Sequence, residues 1–387
     1  MSDPIPFNRP AISGRELAYI EEAIALGQLS AGGAFTLRCE SLLQERGGIS
    51  RVLMTASGTA ALEMAALLCD LGPGDEVIMP SFTFVSTASA FVRCGATPVF
   101  VDIRDDTLNL DERLVARAIT PRTRAIVAVH YGGVACEMEC LAQLAAESRI
   151  RLIEDAAHGI DATYRGRELG SLGDLGIYSF HETKNVVCGE GGALCVNDES
   201  LVERAEILRD KGTDRQRFLR GEVDRYTWVD LGSSFGAGEL ACAFLCAQLE
   251  SAARLTEARR ARAGEYRALL APLEAEGCLR LPATPADARD NAHAFFVRTR
   301  SGVERDALRA WLGAVGISSV SHYVPLHSSR MGEKVGRTHG ELPVTDAAAE
   351  RLLRLPMFPG MTPEQVARTA GEIRRFYSRS GRPGTDG

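Results

Sequence analysis

An α/β protein is predicted: a large domain built on a mostly parallel sheet flanked by helices, with a smaller α+β domain at the C-terminal end. Three observations predict it. Short apolar runs alternate with helical patterns from Val52 to Asp155, a long Ala- and Arg-rich helical pattern follows from about Phe235 to Leu270, and strand, helix and strand patterns then recur. At 387 residues the chain has the length for two domains. We place the boundary near Ser251, giving a large domain over 1–250, to which the N-terminal helix belongs unless it packs on the small one, and a small domain over 251–379. Residues 380–387, SGRPGTDG, are expected to form a disordered tail.

In order along the chain, Ser13 and Glu16 have the spacing of a capping box, and Leu17, Ile20 and Ile24 recur on one helical face up to Gly27. A second helix is expected over 36–46. A strand at 52–55 leads into a helix over about 59–69, and the turn Gly72-Pro-Gly-Asp75 opens a strand at 76–79. Strands at 97–101, 125–129 and 151–155 follow, separated by helices near 111–119 and 137–147. Two apolar, β-prone runs, 176–180 and 191–196, bracket a glycine-rich loop. Residues 201–211 read as helix. After the turn-rich segment 281–285 come a strand at 293–299, a helix at 303–315 and a strand at 317–321. Thr362 caps a last helix that has Pro363 at its first position.

The composition excludes several classes of function. A net charge of -7 argues against nucleic acid as the main partner. The N-terminus, MSDPIPFNRP, lacks a basic region followed by an apolar run, and no apolar stretch is long enough to span a bilayer, so a cytoplasmic protein without membrane contact is expected. The ten cysteines lie mostly inside apolar patterns without a CxxC pair, which reads as buried free thiols and no metal site.

Lys184 lies in the loop between the runs 176–180 and 191–196. Desolvation disfavours an ammonium, so a lysine held by such a loop is either paired or used with a lowered pKa, and a partly neutral amine can form a Schiff base with a carbonyl. The same window also fits a surface lysine on a connection. Ser57-Gly-Thr-Ala-Ala61 follows a strand and opens a helix, where unpaired amides and the helix dipole favour a phosphate, although a plain N-cap has the same appearance. Glu154 and Asp155 end a central strand, and one of them needs a cationic partner, either a protonated ring nitrogen or an arginine. His158 is near enough to share that site or to be a satisfied structural histidine. Phe82 and Phe84 share parity in an extended segment, and one of them could stack on a flat ligand if it is not core.

Taken together, SGTAA (57–61), PSFTFVSTA (80–88), EDAAH (154–158), SFHETKN (179–185), GEGG (189–192) and HYVPLH (322–327) resemble the sugar aminotransferases of the DegT/DnrJ/EryC1/StrS family, pyridoxal-phosphate enzymes of fold type I. The resemblance runs from about Ile5 to Tyr377. Within the family, IPFNRP, VHYGGVACEME, SFHETKN, RDKGTDR and YTWVDLGSS look most like enzymes that aminate C4 of dTDP-4-keto-6-deoxy-D-glucose.

The resemblance implies roles for individual residues. Lys184 would form the Schiff base with pyridoxal phosphate and shuttle a proton, and Asp155 would pair with the pyridinium nitrogen. His158 would reach the phenolic oxygen. Ser57, Gly58 and Thr59, with Ser179, would hold the phosphate, and Phe84 would cover the ring. Many relatives have a GxNxR pattern whose Asn reaches the neighbouring subunit's phosphate, whereas this chain reads Gly232-Ser-Ser-Phe-Gly236, so Ser234, or Ser233 in its place, would make that contact. Tyr323 and His327 would approach the sugar. Lys211 and Arg215 would meet the nucleotide diphosphate or form a solvated helix end.

The activity so implied is transamination from an amino acid, L-glutamate, to a dTDP-keto sugar by a two-fold homodimer with shared active sites. Two alternatives are a pyridoxal-phosphate sugar dehydratase and a non-catalytic regulator on the same fold. The first has histidine in place of the lysine, so Lys184 speaks against it; the intact Lys184 and Asp155 pair speaks against the second.

Overall fold

The computed structural model describes residues 3–379, so the segment expected to be a tail, 380–387, lies outside the described residues. Seven strands form the main sheet: β1 (Arg51–Thr55), β2 (Glu76–Pro80), β3 (Thr97–Val101), β4 (Thr123–Val129), β5 (Arg151–Asp155), β6 (Leu175–Ser179) and β7 (Gly192–Val196). Their order is β1-β7-β6-β5-β4-β2-β3, and Arg337–Thr338 adds a short strand beside β3. All these pairings are parallel except those of β7, which runs antiparallel to both its neighbours.

Strand parity divides the side chains between two cores. Val52, Met54 and Ile78 point to one face, whereas Leu53, Val77 and Met79 point to the other. The first face is covered by α2 (Ala34–Gly47) and the helix Glu239–Glu250, and the second by α3 (Gly58–Leu68). Burial on both faces explains why these strands read as unbroken apolar runs. A second, antiparallel sheet joins Leu279–Arg280, Phe296–Thr299 and Leu352–Arg354. A separate core forms around it from Tyr266, Phe295, Leu308, Leu353 and Ile373, and Ile5 of the N-terminal segment joins that core.

Four local expectations differ from the structure. The first helix, α1 (Glu16–Leu26), has no side-chain cap. Only half of the expected box forms: the Glu16 carboxylate accepts from the amides of Ser13 and Gly14 at 2.6 and 2.8 Å, while the Ser13 hydroxyl donates to the carbonyl of Ala247. Gln248 also donates to Glu16, and this anchoring turns Glu16, Tyr19 and Ala23 inward and leaves Leu17 and Ile24 exposed. The helical stretch 235–270 is interrupted at Ser251 and becomes Glu239–Glu250 and Ala252–Ala275. The expected strand at 317–321 reduces to single bridges from Ile317 to Ile5 and from Val320 to Arg354. Finally, a helix at Val85–Arg93 follows Phe84 where only an extended segment was anticipated. At the other end the capping box does form, with Gln365 N donating to the Thr362 hydroxyl and Thr362 N donating to the Gln365 side chain.

No helix among the described residues is long and apolar enough to cross a membrane. All ten cysteines are free thiols; Cys140 is exposed, contrary to the expectation of burial, because it faces outward from the helix Met138–Ser148.

Candidate active site

A cavity of about 460 Å³ opens beyond the carboxyl ends of β4, β5 and β6. Such edges of parallel sheets leave strand-end side chains and helix N-termini facing one space. The main-sheet side contributes Ser57, Thr59, Asp155, His158, Ser179 and Lys184; Arg259, His293, Tyr323 and Arg354 face them from the side of the second sheet.

Strand parity separates the two adjacent carboxylates that the sequence left equivalent. Glu154 points away from the cavity and is fully buried, accepting from His130 Nε2 at 3.0 Å and from the amides of Gly170, Leu172 and Gly173 at 2.6–2.8 Å. Its role is structural. Burial opposes charge on His130, but its contacts with Cys136 and Glu154 prevail and raise its pKa to about 10. Asp155 points into the cavity, where it accepts from the Thr87 hydroxyl at 2.7 Å and the Ala157 amide at 3.2 Å. Two neutral donors leave its charge free to meet a cation.

Lys184 is placed by a tight loop. Phe180 N donates to Gly191 O, Glu182 N to Gly189 O and Lys184 N to His181 O, each at 2.8–3.0 Å, and Gly189 takes the left-handed conformation that closes the turn. The next residue, Asn185, is buried and donates to the carbonyl of Asn291 at 3.0 Å, which fixes the loop to the segment carrying His293. Burial lowers the pKa of Lys184 from 10.5 to about 8; Asp155 opposes the shift and Arg354 adds to it. A substantial fraction is therefore the neutral, nucleophilic amine near pH 8.

The phosphate-type cradle is built from two close approaches. A Cβ on Gly58 would lie 2.9 Å from that of Ser179, and one on Gly192 would lie 2.4 Å from the Ser57 backbone, so only glycines let the start of α3 reach β6 and β7. The Ser57 hydroxyl caps α3 by accepting from Ala60 N at 3.1 Å, and Thr59 and Ser86 pair their hydroxyls at 2.7 Å. The hydroxyls and the free amides of the first turn face an anion's place.

His158 is neutral at neutral pH, since burial, then Lys184 and Arg354, holds its pKa well below 6.5. Its Nδ1 accepts from Gly132 N at 3.3 Å, so the proton is assigned to Nε2. Beneath it His293 stacks at 3.8 Å between ring centroids and 16° between planes, and His293 Nδ1 pairs with the Asn185 side-chain oxygen at 3.1 Å. Phe84 lines the cavity and is 58% exposed, whereas Phe82 is core, packed edge-on against Tyr131 and Tyr323.

The structure brings together Ser57, Gly58, Thr59, Phe84, Asp155, His158, Ser179, Lys184 and Tyr323. His327, expected to approach the sugar, does not line the cavity. The Ser81 hydroxyl holds both its Nδ1, at 2.8 Å, and its backbone amide, and Asp346 lies 3.4 Å from its Nε2. The histidine of that motif that does reach the cavity is His322. Lys211, Arg215 and Ser234 also lie outside the lining. Asp210 forms a bridge to the exposed Ser234, Lys211 N donates to Ser233 O, and Arg215 lies 3.8 Å from Asp210, so all three belong to one surface loop system. Besides His322, the sequence reading missed Arg259, His293 and Arg354. Arg354 left a signal, being one charge inside the apolar run Leu352-Leu-Arg-Leu355.

This geometry can hold an aldehyde-bearing, phosphorylated aromatic base: an amine for the aldehyde, a carboxylate for the ring nitrogen, an imidazole N–H for a ring oxygen and a cradle for the phosphate. The comparisons agree. Residues 10–374 match the model of the DegT/DnrJ/EryC1/StrS aminotransferase family, and the chain belongs to that family. It is an aminotransferase, and its cofactor is pyridoxal phosphate. Among solved structures it is similar to the aminotransferase TlmJ from Streptoalloteichus hindustanus, at 32% identity and a TM-score of 0.89, over 97% of this chain and 99% of that one. It is similar to the same extent in identity and coverage to DesV from S. venezuelae, with a TM-score of 0.87. The putative sugar aminotransferase Spr1654 from Streptococcus pneumoniae, in its PLP form, shares 26% identity over 97% of this chain and 99% of that one, with a TM-score of 0.89.

When bound, pyridoxal phosphate supplies an aldehyde and an electron-withdrawing ring that spreads the charge left when a bond at the substrate's reacting carbon breaks. Asp155 would pair with the ring nitrogen and hold it in its charged form, and the amine of Lys184, with its pKa lowered to about 8, would take and return a proton at the reacting carbon.

Proposed function

We propose that this protein transfers an amino group from an amino acid, L-glutamate, to C4 of dTDP-4-keto-6-deoxy-D-glucose, forming a dTDP-4-amino-4,6-dideoxyhexose. The observation that carries the reading is the placement of Lys184 and Asp155 in one cavity with the anion cradle at Ser57 to Thr59. On this reading Lys184 and Asp155 are the catalytic pair, and Phe84, His158 and Ser179 complete the cofactor seat. Likeness to a putative sugar aminotransferase supports the substrate class, as does a site that faces its ligand with hydroxyls and neutral imidazoles suited to a sugar. Tyr323 is the sugar-facing phenol in this scheme.

A homodimer with shared active sites belongs to the proposal. Tyr226, Trp228, Val229 and Leu231 are all at least half exposed, on the same 211–234 segment as Lys211, Arg215 and Ser234. A second copy would cover these apolar side chains and bring Ser233 or Ser234 to the neighbouring cradle. We also propose 1–250 and 251–379 as the two domains.

Incubation with dTDP-4-keto-6-deoxyglucose and L-glutamate, with the product solved by NMR, tests the assignment. An amino sugar at C4 is expected; absence of any amino sugar with every dTDP-keto sugar tried would overturn it.

A further inference from the structure

His293 is buried against His158, 3% exposed, and the segments 132–133, 158–160, 185 and 291–293 converge on the pair. Asn185 Nδ2 donates to Asn291 O at 3.0 Å, and a carbonyl can only accept, so the orientation of this amide is assigned and its oxygen faces His293 Nδ1 at 3.1 Å. The proton of a neutral His293 therefore sits on Nδ1. Asn291 fixes the backbone on both sides of the stack: its Oδ1 accepts from His293 N at 3.0 Å, and its Nδ2 donates to the carbonyls of His158 and Ile160 at 2.6 Å each. That amide fits because residue 133 is glycine, with a φ of 81° and a place for Cβ only 2.0 Å from Asn291 Oδ1.

His158 is less well held on its own. The bond from Gly132 N to its Nδ1, at 3.3 Å, lies past the usual hydrogen-bond range and fixes the ring only weakly. The face-to-face contact with His293, 3.8 Å between centroids and 16° between planes, supplies the missing restraint. Burial, then the fields of His158 and Lys184, keeps His293 uncharged, so two neutral rings stack without repulsion.

We propose that His293 is a positioning residue that acts through His158, holding its ring plane and tautomer so that the Nε2 proton is the one offered to a ligand, and that Asn185 ties this pair to the Lys184 loop. The proposal rests on the reading of His158 as the donor to the cofactor's ring oxygen and adds what aims that donor. Asn185 follows Lys184 directly in the chain, is buried, and grips both the backbone of Asn291 and the ring of His293. One amide thus keeps the amine and the imidazole in register, although they come from different segments of the cavity wall.

The test labels the histidines of the full chain with 15N and follows the two ring nitrogens of His158, assigned by their loss in His158→Gln, in cofactor-stripped protein at pH 7.5. The wild type is expected to show one protonated and one unprotonated nitrogen. In His293→Ala the two signals should move toward each other as tautomers mix, and affinity for pyridoxal phosphate should fall roughly 2- to 10-fold, the weight of one aromatic contact. His293→Phe, which keeps a flat face, should restore both readouts; Asn185→Ala, which alters neither ring, should shift the signals part of the way, and adding it to His293→Ala should change nothing further. If His293→Ala does not fold, His293→Phe and Asn185→Ala carry the test. Unmoved His158 signals in His293→Ala and Asn185→Ala, or a loss in His293→Phe as large as in His293→Ala, overturns the proposal. Failure of the underlying reading of His158 would show separately: His158→Gln would leave the absorbance of the bound cofactor unmoved while the nitrogen signals of the other variants behaved as expected.

Discussion

The two walls of the cavity differ in how completely their polar groups are satisfied. On the main-sheet wall Asp155 accepts two hydrogen bonds, Ser57 caps a helix, Thr59 pairs with Ser86, and the Lys184 loop is closed by backbone bonds. On the opposite wall Arg354 Nε and Arg259 Nη1 are buried and unpaired. Groups already fixed by neighbours are preorganised to hold one permanent ligand in one pose. Cavity-lining groups without partners keep their donors for a ligand. On the proposed reading the satisfied wall would belong to the cofactor and the unsatisfied one to a substrate that comes and goes.

The largest effect that would sharpen this contrast is expected on the satisfied wall. Lys184→Ala should lower turnover by on the order of 10⁴-fold, because nucleophile and proton carrier are lost together, while the cradle at Ser57 to Thr59 still binds cofactor non-covalently. Equilibrium dialysis alongside steady-state rates separates the two. Next, Asp155→Asn should cost roughly 10²- to 10³-fold in turnover with little change in melting temperature. Its neighbour should behave in the opposite way. Glu154→Gln places an amide against three backbone donors, and is expected to destabilise the fold by about 3 kcal/mol while leaving the chemistry of correctly folded protein near normal. If the two substitutions gave the same phenotype, the division of labour across the strand would be wrong.

A smaller effect comes from pH. The folded pKa of Lys184 lies below its unfolded value, so the neutral amine gains population as pH rises toward and through about 8. The rate at which cofactor-stripped protein captures pyridoxal phosphate should rise nearly tenfold per pH unit below about 7.5 and level off above about 8.5. Stopped-flow absorbance across that range checks it; a rate still climbing at pH 10 would mean an ordinary surface amine.

How much of this was legible in the sequence depends on whether a feature is local. Lys184 could be singled out because its glycine-bracketed loop and flanking strands all lie within about twenty residues. The strand at 151–155 was equally clear, but the choice between Glu154 and Asp155 was not: parity says that they diverge, and only the stacking of the sheet says which one meets the cavity. The same limit explains the histidines of 322–327. Their spacing is visible, but the capture of His327 by Ser81, 246 residues away, is not. On α1, the apolar stripe Leu17, Ile20 and Ile24 pointed to the wrong buried face because a tertiary contact, Gln248 with Glu16, governs the helix's orientation. Arg354 is the reverse case: its charge inside an apolar run was readable, but the lack of a carboxylate beside it among the described residues is a property of the fold.

The most direct measurement is borohydride reduction of the cofactor-loaded protein followed by peptide mapping. The account predicts one covalent pyridoxyl group per chain, on Lys184, and none in Lys184→Ala. A label on another lysine, or an unlabelled chain that still turns over, would contradict it.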